Sequence, residues 1–300
     1  FLVADSFEIT DDFQYCDDLL TINATKDEIE DSFDRLAVLH LYGIFPLWSS
    51  AAYHNLVDLR LLSTDEWSRI REAELVAILK ASPGLRILHF ELIIIDPTPP
   101  AEGVTVVLPD LQVVNVAAFG GVMQLYPSDL LRLLSPGTKP LRLSLEGYNI
   151  QEKSVLTQVE SFFARSRVVN LYIQSVLPPL NLLLRHSVDL DHVVINRIET
   201  GTHAEYNPEW LKVDRFASLP RLKSLYVTRS TMLEHEFRSL LECCPDGTVL
   251  SNCRIGRRDM SRCFAESDIL AISQAFPAVK LTDHALYPEE GPTADWDILD

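Results

Sequence analysis

The stretch that most constrains this chain is Ala81–Phe90, ASPGLRILHF. It reads as a helix end, a Ser-Pro-Gly break and a short strand, with Leu85, Leu88 and Phe90 spaced L-x-x-L-x-L. One such phrase carries little, because Leu is common. Here the phrase recurs. It appears as Leu36-Leu39-Leu41, Leu56-Leu59-Leu61, Leu85-Leu88-Phe90 and Leu111-Val114-Val116. Pro140-Leu143-Leu145 follows, with Leu141 beside the lost first position. Then come Val168-Leu171-Ile173, Leu190-Val193-Ile195, Leu222-Leu225-Val227 and Leu250-Cys253-Ile255.

Successive first positions lie about 20 to 32 residues apart, close to the period of leucine-rich repeats. A strand and the helix after it cannot bury their apolar sides alone, whereas stacked parallel neighbours bury them together. The fold class expected is therefore α/β, a leucine-rich-repeat solenoid. It would form a horseshoe of about nine irregular repeats with a parallel sheet on the concave face. The expected organisation is an acidic lead-in or cap over 1–35, the solenoid over 36–284, and an acidic tail or cap over 285–300.

Several connecting elements can be read from start and stop signals. Ser63 and Glu66 form a capping box that predicts a helix with Trp67, Ile70, Leu75, Ile78 and Leu79 on one face, stopped by Pro83-Gly84. Shorter helices are expected over 127–134, 152–164, 233–243 and 267–275, and Val279 with Leu281 predicts a closing strand. Asp96–Gly103 and Glu199–Pro208 read as polar or Pro-rich loops.

Composition then removes function classes. The formal charge of −17 repels polyanions, which argues against nucleic acid. No apolar run, Leu92–Ile95 included, exceeds about a strand's length, far short of a membrane span. Five cysteines contain no C-x-x-C, and no His pair stands at metal spacing, so no metal site is expected. Buried, reduced thiols point to a cytoplasmic or nuclear protein. There is no G-x-G-x-x-G, P-loop, G-x-S-x-G or H-E-x-x-H, so neither a cofactor nor an enzymatic role is expected.

What remains is a surface. Alternation along each strand turns the residue between the last two apolar positions to the concave side. That row is His40, Arg60, His89, Asn115, Ser144, Tyr172, Val194, Tyr226 and Arg254. The row two positions earlier is Val38, Asp58, Ile87, Val113, Arg142, Asn170, His192, Ser224 and Asn252. A polar, aromatic and Arg-bearing face suits a protein partner. The candidate binding residues are His40, Arg60, His89, Asn115, Tyr172, Tyr226 and Arg254.

Four phrases, in this order, resemble a known family: SSAAYHNLVDL (Ser49–Leu59), LVAILKASPGLRIL (Leu75–Leu88), SPGTKPLRLSL (Ser135–Leu145) and TADWD (Thr293–Asp297). They look like the F-box-like leucine-rich-repeat proteins expanded in filamentous basidiomycete fungi, over a span from about Asp34 to the C-terminus. The resemblance implies an F-box ahead of the repeats that binds a Skp-type adaptor of a cullin–RING ubiquitin ligase, while the repeats recruit the substrate. Residues 1–35 are too acidic and too sparse in apolar side chains to be that module, so it is expected upstream of Phe1. The alternatives are a free-standing scaffold with no link to ubiquitin, and an enzyme with its site in the 96–103 or 199–208 loop.

Overall fold

In the computed structural model the described residues are 30, 31, 33, 35–63, 68–98, 104–117, 127–146, 153–174, 186–198, 222–244, 247–256, 274 and 277–282. Short runs of Leu, Val and Ile broken by Pro, Gly and Ser make strands of three to seven residues. In chain order the first eight are β1 (Val38–Tyr42), β2 (Asp58–Leu62), β3 (Arg69–Arg71), β4 (Ile87–Phe90), β5 (Ile93–Ile95), β6 (Val106–Leu108), β7 (Val113–Ala117) and β8 (Leu134–Pro136). The remainder are β9 (Leu141–Glu146), β10 (Val168–Gln174), β11 (His192–Asn196), β12 (Ser224–Thr228), β13 (Thr231–Leu233), β14 (Thr248–Ser251), β15 (Arg254–Gly256) and β16 (Lys280–Thr282).

Ten of these form one sheet in the order β1-β2-β4-β7-β9-β10-β11-β12-β14-β16. Every pairing in it is parallel. Three two-stranded parallel ladders flank it: β3 with β5, β6 with β8, and β13 with β15. The chain is thus α/β, with a mostly parallel sheet and few helices. Leu281 lies in the expected strand, since β16 pairs with β14, whereas Val279 is buried just ahead of it.

The repeated apolar spacing marks the core. Leu56, Leu59 and Leu61, then Leu85, Leu88 and Phe90, then Leu111, Val114 and Val116 are all at most 1 % exposed. The helices Glu72–Ala81 and Glu234–Cys243 lay Leu75, Ile78, Leu79, Phe237 and Leu240 on that same core. The helix Lys153–Arg165 adds Val159, Phe162 and Phe163. Burying three such side chains per strand is worth about 1.5–3 kcal/mol each, which is why these positions are mostly apolar.

The ends of the main strands repeat as well. Gly43, Arg197, Arg229 and Asn252 each follow a main strand, and all have φ between 48° and 71°. Arg197 N donates to Thr228 O and Arg229 N to Ser251 O, so this left-handed step ties each strand end to the next. Gly137 serves a different need: a Cβ there would lie 2.4 Å from Pro109 O, so only glycine allows that approach.

Two expectations are corrected. The helix expected from Ser63 begins at Glu72 instead, and Ile70 lies in β3 opposite Ile94. A short parallel ladder that sets Ile70 against Ile94 outcompetes the helical reading, and Arg71 N donates to Glu74 Oε2 at 3.0 Å to start the helix. The last repeat is also displaced. Leu250 stands opposite Val227, so it fills the third apolar position rather than the first. Gly247 fixes this entry, since a Cβ there would meet Lys223 O at 2.3 Å. Thr248 takes the second inward position by donating its hydroxyl to Cys244 O at 2.8 Å. Cys253 consequently lies in the turn after the strand, with its sulfur 3.1 Å from Val227 O and burial pushing its thiol up. Of the expected helix over 267–275 only residue 274 is described, as helical, while most of the lead-in and all of the tail lie outside the described residues.

Candidate functional site

The sheet face opposite the core carries three rows of side chains, set by the period of two along each strand. The middle row runs in unbroken register: His40, Arg60, His89, Asn115, Ser144, Tyr172, Val194, Tyr226, Val249 and Lys280. Six of the seven candidate residues share this row. The seventh, Arg254, does not, because of the displaced last register. It stands exposed in β15 opposite Thr231, and Val249 takes its place in the row.

Burial divides the candidates. His89, Asn115 and Tyr172 are 0, 5 and 4 % exposed, whereas His40 is open and Tyr226 is half-buried. A mid-strand residue is hemmed in by neighbours on both adjacent strands and by the rows above and below. Tyr172 and Val194 even form a small apolar cluster of their own, with Tyr226 against it.

At the β1–β2 end the row is ionic. Asp58 is 7 % exposed and receives Arg60 Nη2 at 2.9 Å, Arg60 Nε at 3.1 Å and His40 Nε2 at 3.0 Å. Burial alone would raise the Asp58 carboxyl, but the hydrogen bonds from Arg60 and His40 outweigh it and hold the group below the usual carboxylate range. Arg60 is therefore a partner of Asp58 more than a free contact.

Across β10–β12 the face is neutral. Tyr172 donates to Gln174 Oε1 at 2.8 Å, and Asn196 Nδ2 donates to Tyr172 Oη at 2.7 Å and to Gln174 Oε1 at 2.9 Å. Thr228 Oγ1 completes the chain by donating to Asn196 Oδ1 at 3.0 Å. This locks the upper row.

The lower row offers a partly exposed strip that spans four adjacent strands. Arg142, Asn170, His192 and Ser224 lie side by side on β9, β10, β11 and β12, and all four are partly exposed. His192 Nδ1 is 2.6 Å from Ser224 Oγ. At the usual spacing of ~4.8 Å between strands, the strip is about 14 Å long. Periodicity alone places these four on the face, but it gives no reason to prefer them to the middle row. Exposure depends on lateral packing, which a single strand's sequence does not encode.

Other features offer less chemistry. An open cleft of about 310 Å³ lies at the N-terminal ends of β10 and β11. Its ionic side chains are engaged: Arg165 donates to Leu131 O and Leu134 O, His186 meets Glu160, and Arg167 meets Asp189. Among the described residues no cluster of His, Cys, Asp or Glu could hold a metal ion, and no helix is long and apolar enough to cross a membrane. Residues 99–103 and 199–208, which hold most of the two alternative loop sites, lie outside the described residues. No protein-family model and no curated protein matches this sequence.

Proposed function

We propose that the chain is a leucine-rich-repeat horseshoe that binds a protein on its concave face, as the substrate-recognition part of an F-box-like subunit of a cullin–RING ubiquitin ligase. The observation that carries the binding reading is the lower row. Arg142, Asn170, His192 and Ser224 form one preformed, partly exposed polar strip on four adjacent strands of a rigid sheet. Such a strip loses little conformational freedom on binding, which is how preorganised faces gain affinity. The link to ubiquitin rests on the resemblance of the four phrases alone. The protein acts in the cytoplasm or nucleus, without cofactor or metal.

The test is co-expression of the whole gene product with a Skp-type adaptor. A stable stoichiometric complex supports the ligase reading. A well-folded product that leaves the adaptor behind favours a free-standing scaffold. For the face itself, the double variant Arg142→Glu, His192→Glu keeps the fold and weakens capture of any partner so found. Unchanged affinity by calorimetry would place the partner elsewhere.

A further inference from the structure

Seven large apolar side chains stand exposed among the described residues, and four of them, Val38, Tyr42, Ile44 and Leu47, fall within one ten-residue stretch at 50 to 65 % exposure. They surround β1, the first strand of the large sheet, and no strand among the described residues pairs with its outer edge. The core is also less closed there. Leu39 and Leu41 keep 8 % exposure, against 0 % for Leu59 and Leu61 one strand further in.

The backbone groups on that edge follow a fixed alternation. Ala37 O accepts from Val57 N and Asp58 N, and Gly43 N donates to Leu62 O, so the odd-numbered residues of β1 face β2. Val38, His40 and Tyr42 therefore turn their N–H and C=O groups outward. Exposed strand edges are ordinarily blunted by Lys, Pro, a bulge or a covering element. Among the described residues the opposite edge strand is β16, which carries an exposed Lys280. β1, with the sequence VLHLY, carries neither Lys nor Pro.

We propose that β1 pairs antiparallel with β1 of a second copy of this chain, about a two-fold axis through His40. The register is self-complementary. His40 faces its own counterpart, Val38 faces Tyr42 of the second copy, and Tyr42 faces Val38. All three outward-facing residues then exchange backbone hydrogen bonds, and the aromatic–β-branched pairs are of a kind that stabilises antiparallel ladders. Leu39 and Leu41 meet across the axis and close the open end of the core. Because Lys280 guards the other edge, the contact is head-to-head and ends at two copies instead of growing into a filament. The formal charge of −17 on each copy opposes association, so added salt strengthens this dimer. The inference does not depend on the partner reading above.

Sedimentation velocity on the whole chain, over a dilution series at low and high salt, tests it. The expected result is a monomer–dimer equilibrium that shifts toward dimer with salt. Tyr42→Lys weakens the dimer about tenfold or more, and Lys280→Val leaves the dimer unchanged. Circular dichroism checks that each variant is folded. For the register, oxidised His40→Cys forms a covalent dimer beyond the background of the parent protein. Facing Cα atoms in such a pair lie about 5.5 Å apart, within disulfide reach. Val38→Cys forms no such dimer. A chain that stays monomeric at every concentration and salt, because other residues cover the edge, overturns the proposal. So does a dimer indifferent to Tyr42→Lys, or one that Val38→Cys crosslinks as readily as His40→Cys.

Discussion

The polar face of the sheet is held by charge at one end and by neutral hydrogen bonds further along. On β1 and β2, a single buried carboxylate, Asp58, gathers Arg60 and His40. On β10 to β12, Tyr172, Gln174, Asn196 and Thr228 satisfy one another with no formal charge. The first arrangement carries a large desolvation cost that its contacts must offset, so its worth depends on keeping every member. The second is complete: both N–H groups of Asn196 donate and its oxygen accepts. The charged cluster sits beside β1, the edge strand among the described residues, and is largely buried there. A satisfied neutral network lies on β10 to β12 in the rows beside the strip that a partner can reach.

Removing the carboxylate should expose the difference most. Asp58→Ala takes the carboxylate away from the Arg60 guanidinium, which is only 11 % exposed. The expected loss is about 3–5 kcal/mol, as for breaking a buried ion pair from one side. Urea unfolding would measure it, and a loss below about 1 kcal/mol would mean that solvent already screens the cluster. The same carboxylate predicts a pH response. Its folded pKa is lowered, so its contribution is present above the unfolded value of about 3.9 and is lost as pH falls through the folded one. Glu91 and Asp129 act in the opposite sense, because burial raises both, so global unfolding mixes the two effects. Hydrogen exchange separates them. The β1 and β2 amides of the wild type should lose protection on acidification, whereas in Asp58→Asn they should show no such step and the β10–β12 amides should not respond.

The two ends of the face also differ in how far the sequence announces them. The inward positions of β2, β4 and β7 are legible because Leu, Val and Phe at L-x-x-L-x-L have no other burial to go to. The same period places His40 and Tyr172 on the far side. The pattern breaks where a polar residue fills an inward position through a bond the local sequence does not show. Thr248 does this through Cys244 O, so the apolar spacing falls on Leu250, Cys253 and Ile255 instead and assigns Arg254 to the wrong surface. Ile70 misleads in the same way, since its true partner Ile94 lies one strand away in space and is invisible to helical spacing. Burial of His89 and Asn115 is not legible either, because it comes from neighbouring strands.

A middle-sized effect is expected in the neutral region. Tyr172→Phe keeps the ring packed on Val194 but removes the hydroxyl that accepts from Asn196 and donates to Gln174. Gln174 still accepts from Asn196, so the network is thinned and not broken. A loss of about 1–1.5 kcal/mol in thermal or urea unfolding is expected. A loss as large as that of Asp58→Ala would erase the distinction between the two regions.

The smallest effect belongs to His40. Its side chain is 46 % exposed, and Asp58 retains Arg60 when His40 is gone. His40→Ala should therefore cost between about 0 and 1 kcal/mol, in the range of exposed pairs. The double variant with Asp58→Ala decides how the charge is shared. If His40 acts only through the carboxylate, its small cost vanishes once Asp58 is absent, and a double-mutant cycle in urea returns a coupling equal to the single-variant loss. A cost that persists in the Asp58→Ala background would mean that the imidazole supports β1 by packing on the strand. The charge holding the first two strands would then reduce to the Asp58–Arg60 pair alone.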